Sequence, residues 1–233
     1  MLPPSDRRSR LASGLRVLVA ADRGTCVVTE DLRYHSGLLE QLEHARRLGL
    51  IGPGPVEPHI EHAGAFATAI EGVQGTVVDL GSGGGVPGLV LALARPDLHV
   101  VLLDARGTRC RFLEGAVEAL RLEADVVEGR AEVVGRSELR GTAGAVVARS
   151  FGIPAATAEC AAPLLEVGGL LVVSEPPPPP QPDRWPARGL AELGLEATVR
   201  VGDSPTVQVL AQRSACPPAY PRRDGVPTKQ PLF

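Results

Sequence analysis

The sequence predicts an α/β protein built on a doubly wound, mostly parallel sheet of seven strands, and three observations support this class. From residue 76 onward, short β-branched or apolar runs alternate with longer amphipathic stretches, as in strands joined by crossover helices. The first run stops at a glycine-rich turn that restarts as a helix. Only a few residues separate the last two runs, which is the spacing of a hairpin.

The residues before this pattern predict a small helical N-terminal extension, which we place at residues 1–58. Apolar side chains share one helical face over residues 31–48, and a stretch rich in Gly and Pro ends that helix. A second amphipathic helix is expected over residues 59–70.

The alternating part of the chain predicts five parallel strands followed by an antiparallel pair. Parallel strands need crossover connections, and the first five strands have room for them, whereas the last two do not. The predicted strands cover residues 76–80, 99–103, 125–127, 145–148, 170–173, 196–201 and 207–212, and the predicted helices between them cover residues 86–94, 108–120 and 155–165.

The net charge of the chain is too negative for its overall electrostatic field to attract nucleic acid or an anionic membrane. The formal net charge is −3, so any contact with nucleic acid must come from a local basic patch. Two groups of basic residues could form such a patch or could equally be solvated, flexible tails: Arg7, Arg8 and Arg10 near the start, and Arg222, Arg223 and Lys229 near the end.

Cysteine usage and hydropathy predict a cytoplasmic protein that has no contact with a membrane. The four cysteines are far apart and form no CxxC pair, which argues against zinc and disulfides and favours a reducing compartment: Cys26, Cys110, Cys160 and Cys216. No apolar run reaches the length of about 18 residues that a membrane span needs. His59 and His62 lie one helical turn apart, but without a third ligand a capping or packing role is favoured, and we expect no metal.

The glycine-rich turn after the first strand predicts a nucleotide-like cofactor. Gly81, Gly83 and Gly85 lack a Cβ atom, so the turn can adopt positive φ and a ligand can lie against the backbone. The helix after Val86 offers N–H groups that have no intrahelical partner. In an open α/β sheet such a turn lies at the carboxyl ends of the strands.

Two cofactors fit this turn, and S-adenosylmethionine (SAM) is favoured over NAD. Gly83, Gly85 and Gly88 match the dinucleotide fingerprint, with Asp104 about 20 residues further on. Asp79, however, would repel a pyrophosphate, while it could hold the ammonium group of the methionine moiety. The D-x-G-x-G-x-G spacing and the terminal hairpin are typical of class I SAM-dependent methyltransferases.

Two acidic residues at strand ends are the candidate ligands of this cofactor. Asp104 could accept hydrogen bonds from both ribose hydroxyls, or it could be a turn or capping residue of the following helix. Asp79 could likewise only satisfy N–H groups of the loop. Carboxylates are poor core material, which favours the ligand interpretation for both residues.

From the glycine-rich turn onward, the sequence resembles the small-subunit ribosomal RNA methyltransferase G family, also called the glucose-inhibited division protein B family. The resemblance covers about residues 58–174 and returns at the C-terminus. The matching stretches are Asp79-Leu80-Gly81-Ser82-Gly83-Gly84-Gly85-Val86-Pro87-Gly88, Ala94-Arg95-Pro96, Leu103-Asp104, Arg111-Phe112-Leu113, Leu120-Arg121-Leu122, Gly129-Arg130-Ala131-Glu132, Ala148-Arg149-Ser150-Phe151 and the tail 220–232.

The resemblance implies a SAM-dependent enzyme that methylates N7 of a guanine in small-subunit rRNA, with the rRNA or the ribosomal subunit as its partner. It implies a methyltransferase domain over residues 59–213 and a Pro-rich, basic tail over residues 214–233. There are two alternatives: a SAM methyltransferase that acts on a small molecule, and a SAM-binding paralogue that has lost catalysis. Methyl transfer to an unprotonated nitrogen requires alignment and no acid–base group, and no such group is evident.

The resemblance also assigns residues to the site. Gly81 and Val86 would line the cofactor pocket, Ala131 and Glu132 would meet the adenine, and Arg149 would face the methionine end or the reaction cleft. The alternative for Glu132 is a surface carboxylate at a helix start. For Arg149 it is an ion pair with one of the two aspartates described above.

The sequence departs from the family at three places. The family's N-terminal Asn-Leu-Thr is absent, and His62 stands where an Asp is expected. Ser174 and Glu175 replace the Lys that usually follows the fifth strand. An acid at that position is expected to weaken the binding of RNA phosphates.

Overall fold

The computed structural model describes residues 31–176 and 184–233, which form one seven-stranded sheet with helices on both faces. The strand order is β3-β2-β1-β4-β5-β7-β6, in which the first five strands are parallel and β7 is antiparallel to both of its neighbours. The predicted fold class is therefore confirmed. The strands are β1 Thr76–Leu80, β2 His99–Asp104, β3 Ala124–Glu128, β4 Ala143–Ala148, β5 Leu165–Ser174, β6 Leu195–Val201 and β7 Val207–Gln212.

Eight α-helices lie wholly within the described part of the chain, and five of them were predicted. The other three, α5, α7 and α8, have four to six residues, which is too short for a helical period to show in the sequence. The helices are α1 Ser36–Arg47, α2 Glu57–Ala69, α3 Gly88–Ala94, α4 Gly107–Leu120, α5 Ala131–Val134, α6 Pro154–Ala161, α7 Ala187–Glu192 and α8 Val226–Lys229. None of these helices is long and apolar enough to cross a membrane.

Several predicted boundaries are wrong, among them the start of β5 at Leu165 and not at residue 170, and three helix boundaries have a local reason. Helix α1 begins at Ser36 and not at residue 31, because His35 caps it by accepting a hydrogen bond from the Leu38 amide (3.1 Å). Helix α3 begins at Gly88 and not at residue 86, because the preceding turn is still left-handed at Gly85 (φ 85°). The helix predicted to reach residue 165 instead ends in a 3₁₀ turn around Pro163, which lacks the N–H that would continue an α-helix.

The core consists of two apolar layers, one on each face of the sheet. Helices α1 to α4 cover one face, where Leu38, Ile60 and Leu89 pack on Val77 and its neighbours. Helices α5 to α7 cover the other face, onto which the alternate strand residues project. The two N-terminal helices are thus part of the main core.

The C-terminal residues 214–233 are packed against the α5 and α6 side of the sheet. Arg140 donates to the carbonyls of Cys216 and Tyr220 (both 2.8 Å), and Arg222 binds both carboxylate oxygens of the fully buried Glu159 (2.8 and 2.6 Å). The flexible-tail interpretation is wrong for these residues, because a buried carboxylate requires a charged partner. Arg7, Arg8, Arg10 and Cys26 lie outside the described residues, and the domain boundaries stay a prediction.

Candidate functional site

The fold brings all nine predicted site residues to the carboxyl edge of the parallel strands. The chain leaves β1 toward β2 and β3 and then returns on the other side to β4, so the strand order reverses between β1 and β4. Ligands of open α/β sheets bind at such a reversal. Around it lie Asp79 in β1, Gly81, Gly83, Gly85 and Val86 after β1, Asp104 at the end of β2, Ala131 and Glu132 after β3, and Arg149 after β4.

The glycine loop is fastened to the end of β2. The amides of Gly81 and Ser82 donate to the Leu103 carbonyl (2.8 and 3.0 Å), and that of Gly83 donates to the Asp104 carboxylate (3.0 Å). Gly81, Gly83 and Gly85 adopt φ values of 77°, 54° and 85°, a region that favours glycine.

Two neighbours of this loop were missed by sequence reasoning. A Cβ atom on Gly81 would lie 2.7 Å from the Phe151 ring, and one on Gly84 would lie 2.5 Å from Ile51. Gly81 and Gly84 must therefore lack a side chain because of packing within the protein, in addition to any requirement of a ligand. Phe151 belongs to a stretch that matches the family, whereas no pattern in the sequence marks Ile51.

Asp79 is a buried acid at the centre of the site. The residue is 1% exposed, and its carboxylate accepts a hydrogen bond from the amide of Gly88, the first residue of α3 (3.0 Å). The alternative role, in which Asp79 satisfies an N–H of the turn, is therefore real. Burial raises the pKa of Asp79 from 3.8 to about 7, so a cation placed beside it would stabilise its ionised form.

Asp104 accepts three hydrogen bonds from the protein. Gly83 and Arg109 donate to one oxygen (3.0 and 3.2 Å), and the Arg106 amide donates to the other (3.0 Å). The turn role is thus present as well, since Arg106 is the residue before α4. Arg109, which the sequence did not single out, is the partly exposed partner that ribose hydroxyls would replace.

Glu132 is buried, so the interpretation as a surface carboxylate is wrong. It begins the short helix α5 together with Ala131, is 5% exposed, and accepts hydrogen bonds from the Gly225 amide (2.8 Å) and Arg130 (3.0 Å). Burial alone would raise the pKa of Glu132, but these hydrogen bonds hold it below its usual value. Because the tail uses this carboxylate, the backbone of the loop is what can meet an adenine.

Arg149 is bound to a histidine and not to either aspartate. Its Nη2 lies 2.8 Å from Nδ1 of His59 in α2, and Asp104 forms its ion pair with Arg109 instead. The guanidinium can only donate, so His59 accepts at Nδ1. Burial and the Arg149 charge lower the pKa of His59, and burial lowers the pKa of Arg149 itself.

Two buried polar atoms in this part of the site have no hydrogen-bond partner among the described residues. They are Nη1 of Arg149 and Nε2 of His62. Burial, followed by the charge of Arg149, lowers the pKa of His62 to about 4, so the ring is neutral. The described residues include no group of three metal-ligating side chains, and the absence of a metal stays an expectation.

The residues at this edge fit S-adenosylmethionine. The unpartnered Nη1 of Arg149 would accommodate a carboxylate, and the buried acid Asp79 would accommodate an ammonium group. Asp104, with an exchangeable partner in Arg109, would accommodate ribose hydroxyls. A pyrophosphate has no positively charged group to offer Asp79, so this set of side chains does not favour NAD.

The strand order with its terminal antiparallel pair defines the class I methyltransferase fold. Solved structures that share it include TrmN from Thermus thermophilus (19% identity, 75% of this chain and 53% of that chain, TM-score 0.52). Another is the branched-chain polyamine synthase of the same organism (17% identity, 69% and 57% of the two chains, TM-score 0.53). At these identities the likeness concerns the fold alone.

Sequence comparison identifies the family. The family model described as rRNA small subunit methyltransferase G matches residues 55–175. The ribosomal RNA small subunit methyltransferase G of Thermotoga sp. (strain RQ2) is 37% identical over 170 residues, which cover 70% of this chain and 74% of that protein. Its counterpart in Mycolicibacterium gilvum (strain PYR-GCK) is 34% identical over 184 residues, covering 75% and 81%.

The chain therefore belongs to the ribosomal RNA small subunit methyltransferase G family, which confirms the resemblance found in the sequence. The family is one of methyltransferases, and its cofactor is S-adenosylmethionine, as the glycine-rich turn and Asp79 predict.

Proposed function

We propose that this protein transfers a methyl group from S-adenosylmethionine to N7 of a guanine in small-subunit rRNA. Membership of the family supports the reaction and the substrate. The observation that carries the cofactor site is the placement of Asp79 and Arg149 on either side of the strand reversal. A buried acid and a guanidinium nitrogen that has no partner among the described residues are complementary to an amino acid zwitterion.

Each residue of the site has one task in this proposal. Asp79 binds the ammonium group of the cofactor, and Nη1 of Arg149 binds its carboxylate. His59 holds Arg149 in place from helix α2. Asp104 binds the ribose hydroxyls once Arg109 has moved aside, and the backbone at Ala131 borders the adenine.

The reaction requires these residues to orient their ligands and does not require them to move a proton. The cofactor, when bound, would supply a methyl group on a sulfonium sulfur: the new bond from the acceptor nitrogen to the methyl carbon forms as the carbon–sulfur bond breaks, and S-adenosylhomocysteine is the leaving group. Guanine N7 carries an unprotonated lone pair, so no base is needed to activate it. Fixing donor and acceptor in line removes much of the entropic part of the barrier.

Of the two observations that favoured a small-molecule substrate, Glu175 and the net charge of −3, the structure weakens the first. The sequence had suggested that Glu175 would present a negative charge to an approaching phosphate. Its side chain is 3% exposed and is paired with Arg184 (3.0 Å). The rRNA substrate is therefore the one that we propose, and the cytoplasmic location remains a prediction.

A deletion strain tests this function. Primer extension across chemically cleaved N7-methylguanine sites of its small-subunit rRNA is expected to show the loss of one stop. The wild-type gene should restore the stop, whereas Arg149→Ala should not. If the rRNA of the deletion strain keeps every such methyl group, the rRNA substrate is excluded. If calorimetry shows SAM binding but no ribosomal substrate is methylated, a binding paralogue is indicated.

A further inference from the structure

Glu175 is the centre of a buried ionic cluster at the end of β5. Its Oε1 accepts a hydrogen bond from the indole N–H of Trp185 (2.9 Å), and its Oε2 accepts one from Nε of Arg184 (3.0 Å). A nitrogen of Arg200 lies 3.7 Å from the same Oε2. One negative and two positive charges meet here, so the cluster has a net charge of about +1 at neutral pH.

Both guanidinium groups are held in place while part of each remains exposed. Nε of Arg200 donates to the Gln208 side chain (3.1 Å), whose amide nitrogen donates to the carbonyls of Val199 and Val209 (3.2 and 2.9 Å). The side chains of Arg184 and Arg200 are 20% and 38% exposed. Their other N–H groups form no further hydrogen bond to a described residue, so these donors are available to an anion. A fixed guanidinium with unused donors suits phosphate oxygens.

The cluster lies at the same edge of the sheet as the cofactor site. Ala148 in β4 pairs with Val173 in β5, Val173 pairs with Gln208 in β7, and Gln208 pairs with Arg200 in β6. At about 4.8 Å per strand, Arg200 is roughly 14 Å from the residue that precedes Arg149.

The two sites approach this edge from opposite faces of the sheet. Trp185 belongs to the core on the α5 to α7 face, whereas His59, which holds Arg149, comes from α2 on the other face. An RNA strand bound at the cluster could therefore keep its sugar–phosphate backbone on one face of the sheet. One of its bases could then extend over the edge of the sheet toward the cofactor.

We propose that Arg184 and Arg200, oriented by Glu175 and Gln208, bind phosphodiester groups of single-stranded RNA that flank the target guanine. This inference rests on the proposed function, because it supplies the substrate contact that the function needs. Guanine N7 lies in the major groove, which in an RNA helix is too deep and narrow for protein groups to enter. A target guanine in single-stranded RNA avoids this barrier, and the backbone beside it is accessible to such a cluster.

The arginine variants test the proposal through RNA affinity and its dependence on salt. Arg184→Gln and Arg200→Gln should each weaken the binding of small-subunit rRNA several-fold and flatten the slope of log K against log salt by about 0.7. The dissociation constant of SAM should not change. Arg213→Gln is the matched control, because Arg213 pairs with Glu196 (2.5 Å) at the opposite end of the same hairpin and should leave RNA affinity unchanged.

Glu175→Gln should have the opposite effect on RNA affinity. The Gln side chain keeps an oxygen that can accept from Arg184 and so hold it, but it removes a negative charge beside the proposed phosphate site. We therefore expect rRNA to bind more tightly, whereas loss of a merely structural ion pair would not tighten binding. Arginine variants that bind rRNA within twofold of the wild type, with the wild-type salt slope, would overturn the proposal, even if Glu175→Gln fails to fold. Because these experiments measure binding and not methylation, the two proposals can fail separately. A wild-type protein that binds rRNA through the cluster but does not methylate it would contradict the proposed function and leave the RNA-binding proposal standing.

Discussion

Asp79 shows how a single residue can link cofactor binding to proton release. Its carboxyl group is enclosed by the glycine loop and the start of α3, and burial raises its pKa to about 7. Near neutral pH a substantial fraction of the cofactor-free protein therefore carries a neutral Asp79. An ammonium group beside it favours the ionised form, so cofactor binding should release a proton.

We therefore expect the affinity for SAM to increase with pH between about 6 and 7.5, and Asp79→Asn to abolish most of this increase. Calorimetry in two buffers with different ionisation enthalpies measures the released proton directly. Equal proton release by the wild type and Asp79→Asn would show that another group is responsible.

The same residue should reduce the stability of the cofactor-free protein at neutral pH. The pKa of Asp79 is raised from 3.8 to about 7 on folding, so the folded state binds this proton more tightly. The stabilising contribution is complete below about pH 4 and is lost as pH rises through about 7. Asp79→Asn, which stays neutral, should be more stable than the wild type at pH 8 in urea unfolding, yet should bind SAM more weakly. A variant that is less stable at pH 8 and binds SAM normally would contradict this account.

At the scale of elements, the glycine loop offers a pair of substitutions that separates backbone conformation from packing. Gly81→Ala and Gly83→Ala both place a Cβ at positive φ, which costs about 1 kcal/mol. Only Gly81→Ala also meets the Phe151 ring, at 2.7 Å, whereas the nearest atoms at Gly83 are 3.8 Å away. Gly81→Ala should thus lose about 1–2 kcal/mol more in urea unfolding. Equal losses would show that the ring moves aside freely.

The C-terminal tail is held by a buried ion pair whose contribution can be measured against an exposed one. Glu159 is fully buried and binds Arg222, whereas Glu196 and Arg213 are each about 60% exposed. Glu159→Gln should lower the free energy of unfolding by about 2–3 kcal/mol and expose the tail to limited proteolysis. Glu196→Gln should change it by less than about 0.5 kcal/mol. If both variants behave like the wild type, the tail is not held through Glu159.

The sheet could be predicted from the sequence because its signal is local. Each parallel strand is a short apolar run, and the distances between runs distinguish crossovers from the final hairpin. The carboxyl ends of these strands then place Asp79, Asp104 and Arg149 at one edge without any further information. What the sequence could not show are the contacts between residues far apart in the chain.

Two such contacts changed the interpretation of the site. Arg149 pairs with His59, 90 positions away, and Glu132 binds the Gly225 amide, 93 positions away. Neither pairing has a periodic pattern, because each depends on how α2 and the tail pack on the finished sheet. The neutralisation of Glu175 was missed although Arg184 is only nine positions away, because it depends on how the chain after β5 folds back and on where β6 places Arg200.

The molecule as a whole carries a net charge of −3, yet the proposed substrate is a polyanion. Its affinity for RNA must therefore come from local arginine groups at the edge of the sheet, and it should fall steeply with salt. The acidic surplus elsewhere should oppose binding to RNA that does not match this edge.

The most direct test of the account is methyl transfer by the purified protein. Small-subunit particles and naked rRNA from the deletion strain are incubated with tritium-labelled SAM, and the labelled base is mapped by primer extension after cleavage at N7-methylguanine. We expect label at N7 of one guanine with the wild type and greatly reduced transfer with Arg149→Ala. Binding of SAM without transfer to either substrate, or label on another atom or RNA, would contradict it.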